Sequence, residues 1–420
     1  MAILPTMLRI LSSTLLFCTL SASAQQYDIV LRNGHVIDPK NNVDTKRDVA
    51  IRDGKIAAIE PSIPASAAKQ AIDISGLYLT PGLVDIHVHV FTGLRHNAWG
   101  NGDLSVPPDP MSIPYGVTTV ADAGSSGWRD FPEFRRRVID NSKTRVFAFI
   151  NIIGAGMAAN DDAAEQNDHD MDLDALSKVI ADNRDIIVGV KTAHWQQPNF
   201  ISVQKAVEAG NRNHLPVMVD FGWFDNKSYK EMIETVLRPG DISTHVFRMP
   251  APLLGPDGKP APYMLDARRR GIKFDVGHGG GSFTFALAEP MVKGGFFPDS
   301  ISTDLHVGSA TGVMLNLPNV MNKILALGVP LNEVIRESTT NPATEIGHPE
   351  LGQLAIGSVA DIAVLRVDTG TFGYADLAGK VTGTQRIVPE MTIRAGRVLF
   401  DLNARTAVPW REGHLKYATR

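Results

Sequence analysis

Between Pro81 and Thr344 the chain repeats one rhythm, a short apolar run, a polar loop, a helical segment and another apolar run. That rhythm restricts the fold more than any other feature. The apolar runs are LVDIHVHV, GVTTVADAG, RVFAFINIIG, IIVGVKTA, LPVMVDFG, DISTHVFR, IKFDVGHGGG and SISTDLH; FPEFRRRVIDN, MDLDALSKVIADN and ISVQKAVEAGNRN are among the helix candidates between them. Buried parallel strands read as near-continuous apolar runs. Eight such units alternating with helices predict an α/β fold of the (β/α)8 TIM-barrel type, in which side chains at the carboxyl ends of the strands carry the chemistry.

The flanking sequence has a different texture. YDIVLRNGHVIDP and DVAIRDGKIAAIE alternate apolar and polar residues, with Asn-Gly and Asp-Gly pairs expected to form hairpin turns. GQLAIGSVADIAVLRVD and MTIRAGRVLFD return to that texture near the end. The expected organisation is a small β-sandwich assembled from residues 25–80 and 345–420, with a barrel over 81–344 inserted between its halves. Residues 1–24 read as a secretory signal: Arg9, the apolar ILSSTLLFCTL, then SASA before Gln25 as a cleavage site. The apolar stretch is too short to span a bilayer, so the mature protein is expected to be soluble and exported, periplasmic or secreted, with no membrane partner. Cys18, the only cysteine, lies inside this segment. The mature chain therefore offers no disulfide, thiolate nucleophile or sulfur ligand, and any metal must be held by histidines and carboxylates. A net charge of -4 argues against a nucleic-acid partner.

The strand ends concentrate ligand-type residues. His87 and His89 stand two apart, so on a strand both imidazoles leave the same face. Lys191, Asp220, His245, His278 and Asp304 end later strand candidates. Each has an ordinary alternative: a snorkelling lysine, a loop carboxylate, a satisfied histidine, a helix N-cap for Asp304, a sharp turn for GHGGG. Their joint placement points instead to a metal centre. A desolvated lysine has a lowered pKa, and its neutral amine can add carbon dioxide to become a bridging carbamate. Ser125, in GSSG, lacks the strand-to-helix setting of a nucleophilic serine and reads as a substrate contact. Asp109 and Trp99 in the HNAWGNGDLSVPPDP loop and Arg248 in RMPAPLLGPDGKPAPYM are candidates to shape specificity.

Taken together, TPGLVDIHVHV, GVTTVADAGSSG, GVK, STH, STD and the tail NPATEIGHPELGQLAIGSVADIAVL resemble the amidohydrolase superfamily of metal-dependent hydrolases over nearly the whole mature chain. DAGSSG and FDVGHGGGSF bring it nearest to the amidohydrolase/deacetylase or dihydroorotase-like branch. The resemblance implies two divalent metal ions. His87, His89 and Asp304 would hold the more buried one, a carboxylated Lys191 would bridge, and His245 would hold the exposed one. Zinc suits such ligands, with manganese and iron open. Asp220 stands where the family usually has histidine, and three outcomes stay open: direct ligation, ligation through water, or a weakened second site. His194 and His214 are the nearby residues able to compensate. The implied reaction is attack of a metal-bridging hydroxide on an amide or ester carbonyl, with Asp304 as general base and His278 binding the oxyanion or a substrate carboxylate. The expected substrate is a small molecule, an N-acyl amino acid or acylated hydroxy acid. The alternatives are a cyclic amidase of dihydroorotase or hydantoinase type and a non-catalytic exported binder. The oligomeric state, a homo-oligomer included, stays open.

Overall fold

The computed structural model describes residues 25–91, 105–157, 162–222 and 224–413; the signal-like segment with Cys18, and Trp99, lie outside them. The amino-terminal alternation folds as β1 (Tyr27–Asp38), β2 (Val43–Arg52), β3 (Lys55–Glu60), β4 (Ala68–Asp73) and β5 (Tyr78–Pro81). Asp53 and Gly54, at φ 52° and 74°, make the tight β2–β3 turn, the backbone that Asp-Gly favours. Asn33-Gly34 does not turn the chain. It is a bulge inside β1, where the register against β2 shifts between Leu31 and Gly34. The Asn33 amide donates to Asp48 Oδ1 at 2.7 Å, and a Cβ on Gly34 would lie 2.4 Å from Ile74 Cδ1. Long-range contacts thus convert a hairpin signal into a kink.

The carboxyl-terminal strands β13 (Ile362–Ala375), β14 (Lys380–Arg394) and β15 (Arg397–Asp401) join the same sheet. Its order is β15-β14-β13-β5-β1-β2-β3, with β4 also paired to β1, so both ends of the chain build one eight-stranded sheet. The sheet curls. Ile56 N donates to Ser358 O at 2.9 Å and Ala360 N to Gly54 O at 2.8 Å, bringing the β3 edge against the approach to β13. Leu31, Ile51, Ile56, Leu79, Val364 and Ile393 close on one apolar core.

The middle of the chain forms seven parallel strands in sequence order: β6 (Leu83–Val88), β7 (Val117–Gly127), β8 (Arg145–Asn151), β9 (Ile187–Thr192), β10 (Val217–Val219), β11 (Ile242–Ser243) and β12 (Lys273–Phe274). The eighth strand candidate, SISTDLH, is not a regular strand. It hydrogen-bonds to both edges of the sheet all the same, through Val276 N to Ser300 O (3.0 Å) on the β12 side and His89 N to Leu305 O (2.8 Å) on the β6 side. Helices cover the outside. Ile201–Asn213 coincides with ISVQKAVEAGNRN and buries Val203, Ala206 and Ala209, and Leu173–Asp182 starts where Asp172 accepts from the Asp174 and Ala175 amides. The inner face of the sheet is apolar, with Val84, Ile86, Phe147, Phe149, Met218 and Ile242 packed on Ala343, Ile346 and Leu351. Among the described residues no helix is long and apolar enough to cross a membrane.

Candidate active site

At the carboxyl ends of the strands, His87, His89, Ser125, Lys191, His194, Asp220, His245, Asp304 and His306 line one cavity of about 180 Å³. Asp304 meets three of its histidines, His87, His89 and His306. One carboxylate oxygen stands 3.0 Å from His89 Nε2 and 3.5 Å from His87 Nε2. Burial pushes its pKa up, but the imidazoles of His87, His306 and His89 outweigh burial and hold it well below the usual carboxylate range. His87, His245 and Asp304 present ligand atoms within 4.8 Å of one another, the spacing of a metal-ion site.

The histidines are aimed from behind. His87 Nδ1 lies 2.9 Å from Thr244 Oγ1, which donates to Asp275 Oδ2 at 2.7 Å. His89 Nδ1 meets Ser125 Oγ at 3.0 Å, and His245 Nδ1 meets the Gly277 carbonyl. A second partner on the far ring nitrogen fixes both tautomer and orientation of a ligating imidazole. Burial, then the charge of Lys191, drives the His87 pKa down to about 3, so its Nε2 keeps a free lone pair at neutral pH. Room for these rings depends on glycine: a Cβ on Gly277 would lie 2.8 Å from His245 Nδ1 and 3.0 Å from His87 Nδ1.

Lys191 is buried, and burial lowers its pKa. Its Nζ lies 3.2 Å from His87 Nε2, and it has no ion-pair partner among the described residues. Gly124 makes space for it, since a Cβ there would lie 2.6 Å from Lys191 Cγ. A buried ammonium set against a neutral imidazole is an unfavourable pairing for protein alone. The donor set of His87, His245 and Asp304 fits a metal cation.

Asp220 is engaged on both oxygens. Oδ2 stands 3.3 Å from His245 Nε2 and 3.2 Å from His194 Nε2, while Oδ1 accepts from the Gly222 amide at 2.9 Å and lies 3.4 Å from Arg248 Nη1. Burial raises its pKa, but His245 and His194 pull it well below the usual range. His194 Nδ1 meets Glu165 Oε2 at 2.8 Å. His194 is thus brought to the site, whereas His214 is not: it caps Ile201–Asn213 at the amino-terminal end of the strands.

Two other sequence candidates fall elsewhere. His278 is buried behind the cavity, its Nε2 2.7 Å from Lys323 Nζ and its Nδ1 2.8 Å from the Gly279 carbonyl. Both ring nitrogens are occupied by protein, so it does not face the cavity as an oxyanion donor would. Asp109 lies at the opposite end of the sheet, in the first turn of the helix Pro108–Ser112, where it accepts from the Lys143 and Thr144 amides at 3.0 and 2.8 Å. Pro-Asp-Pro, read as loop, is a helix start. Glu165 and His306 were not anticipated. The signal for His306 was available, since it stands two residues after Asp304 as His89 stands two after His87.

Comparison with known proteins agrees with this geometry. No family model matches the chain. Curated deacetylases of Agrobacterium fabrum and Brucella anthropi are each 33% identical to it, over 80% and 82% of this chain and 82% and 85% of theirs. Among solved structures, an adenine deaminase (27% identity, TM-score 0.77) and a dihydroorotase (29%, 0.77) each cover 89% of this chain, at 100% and 99% of their own length. The protein is a metal-dependent hydrolase acting on carbon–nitrogen bonds of small molecules. The chain belongs to the amidohydrolase superfamily, in the branch of the deacetylases and dihydroorotase-like proteins.

Proposed function

We propose that the protein removes the acyl group from an N-acyl amino acid or an acylated hydroxy acid. The observation that carries this is the ionised Asp304 carboxylate set between His87 and His89 in a small pocket, on a chain one-third identical to named deacetylases. His87, His89, Lys191, Asp220, His245 and Asp304 are the residues that would hold two divalent ions, zinc by the chemistry of the donors, with Lys191 carboxylated. Bound there, the ions supply a Lewis acid for the substrate carbonyl and a lowered pKa for the attacking water. Asp304 takes the proton from that water and returns it to the leaving nitrogen or oxygen. His89 and His306 hold the carboxylate toward the pocket, while Arg248, beside Asp220, is placed to meet a substrate carboxylate. Ser125 serves by fixing His89.

In the same reading, the segment 300–305 completes an eight-unit barrel over 81–344, and the curled sheet of 25–80 and 345–420 is a β-sandwich beside it. Residues 1–24 direct export to the periplasm or beyond. The solved dihydroorotase at 29% identity supports a second reading, opening of a cyclic amide. Product analysis separates the two. Zinc-loaded protein given N-acyl amino acids, acylated hydroxy acids, hydantoins and dihydroorotate should release two products from the first two classes. Turnover confined to the cyclic amides, with one product each, establishes the second reading instead.

A further inference from the structure

His194 lines the catalytic cavity but is not one of the six residues that would hold the two ions. It stands two residues beyond β9 at φ 55°, a strained conformation for a residue other than glycine. Neighbouring loops hold it there. Gln166 Nε2 donates to the His194 carbonyl at 2.8 Å, and Gln166 Oε1 accepts from the Gln196 amide at 2.8 Å. A Cβ on Gly222 would lie 3.2 Å from His194 Cα, so the loop after β10 packs backbone to backbone against the loop after β9. Strain and scaffold together aim one ring. Its Nε2 stands 3.2 Å from Asp220 Oδ2 and its Nδ1 2.8 Å from Glu165 Oε2.

His245 meets the same Asp220 oxygen, with Nε2 at 3.3 Å and Nδ1 against the Gly277 carbonyl. A carboxylate and a carbonyl only accept hydrogen bonds, so both rings carry a proton on Nδ1. Each neutral ring then turns a bare Nε2 lone pair toward a carboxylate oxygen that has only lone pairs to offer. The nearby donors serve the other oxygen: Oδ1 accepts from the Gly222 amide at 2.9 Å and lies 3.4 Å from Arg248 Nη1. Two positive charges would reconcile the three atoms, either a proton on each Nε2 or one divalent ion shared by all.

The distances favour the ion. A hydrogen bond from a protonated ring to a carboxylate is about 2.7–2.9 Å long, and the contact of His194 with Glu165 has that length. The two contacts with Asp220 do not. Two ligand atoms each about 2.0–2.1 Å from a tetrahedral zinc lie about 3.3 Å apart, which matches 3.2 and 3.3 Å. A carboxylate on the far nitrogen is also the usual outer partner of a metal-binding histidine, and Glu165, buried, occupies that place.

We propose that His194 is a ligand of the second metal ion. Its Nε2 supplies the imidazole that the end of β10 lacks, Asp220 Oδ2 and His245 Nε2 are its fellow donors, and Glu165 fixes the ring from behind. This rests on the two-ion reading of the pocket and not on the identity of the substrate. Zinc alone tests it. The metal-free full chain, labelled with 15N-histidine, is titrated with zinc against a chromophoric chelator and followed by 15N–1H NMR of the imidazoles. Wild type should take up two ions per chain. The His194 Nε2, assigned by the signal missing from His194→Gln, should carry no proton once the second ion is bound. That ion should bind about 100-fold more weakly in His194→Ala and about tenfold more weakly in Glu165→Gln. The first ion, held by His87, His89 and Asp304, should bind both variants as it binds wild type, which shows that they are folded. A proton retained on His194 Nε2 in the two-zinc protein, or wild-type affinity for the second ion in His194→Ala, makes His194 a mere donor to Asp220. Either result overturns the proposal and leaves the two-ion reading standing. Uptake of a single ion by wild type overturns both.

Discussion

The two ends of the parallel sheet use the same residue types in opposite ways. At the amino-terminal end, Asp241, Asp361 and Asp299 are paired with cations on the spot. Asp241 accepts from Arg238 and from the Val217 and Arg238 amides, Asp361 meets Arg145 and the Ala395 amide, and Asp299 meets Lys273 and the Phe274 amide. At the carboxyl end the lysines have no carboxylate partner among the described residues. The buried lysines Lys191 and Lys323 face imidazole Nε2 atoms at 3.2 and 2.7 Å, and Asp304 and Asp220 face histidines. Backbone strain is more frequent here too: His194, His245 and Asp304 sit at φ 55°, 59° and 50°, a region that costs a non-glycine residue about 1–3 kcal/mol, which His214 shares at the other end at φ 55°. Buried lysines set against imidazoles, and three non-glycine residues at positive φ around one cavity, mark where the fold gives up stability to hold a site.

That contrast is broken most severely at Asp304. Asp304→Asn keeps the shape but cannot carry the proton, and kcat is expected to fall about 10³-fold with thermal stability unchanged. Rates compared at equal metal content check it. A loss of less than about tenfold would mean that another group moves the proton.

Asp241 gives the complementary result. Asp241→Ala leaves the Val217 and Arg238 amides and the Arg238 guanidinium short of their acceptor. Breaking such a buried pair costs about 3 kcal/mol. Urea unfolding should show that loss, while kcat of the folded protein stays as it was. A fall in kcat with stability retained would show that the two ends are not separable in this way.

Much of this division was legible in sequence, but not its direction. Period alone located β9, the helix Ile201–Asn213 and the adjacent His87 and His89, because apolar spacing and the two-residue strand repeat are local properties. What period does not carry is which way a loop side chain turns. His278 follows an apolar run as His245 does, yet Lys323, 45 residues later, takes its Nε2. Asp109 read as a specificity residue because proline-rich sequence suggests an exposed loop; the amides of Lys143 and Thr144 claim it at the far end of the sheet. His194 matches no motif, yet its positive φ and Glu165 bring its ring to Asp220. The eighth strand read correctly as a position and wrongly as a regular strand, since Ser300, Ser302 and Thr303 direct their hydroxyls to Asp275 and Asp85 instead of packing as apolar strand side chains.

Lys323 tests the contrast at its mildest. Burial lowers its pKa to about 7, and its Nζ donates to His278 Nε2 and to the Val313 carbonyl at 2.8 Å. The unfolded chain keeps the ordinary value of 10.5, so between about pH 7 and pH 10.5 it holds a proton that the folded protein does not. Stability from this group therefore rises with pH across that window and is lost as pH falls toward 7. Glu345, raised to about 8 by burial, slopes the other way from its ordinary value upward, which makes the raw profile of the wild type ambiguous. Lys323→Met removes one slope and keeps the other. The difference in unfolding free energy, variant minus wild type, should be most favourable to the variant near pH 7 and decline steadily toward pH 10. A difference that stays flat would place the Lys323 pKa outside this window and make its pairing with His278 no costlier than the carboxylate pairs at the base.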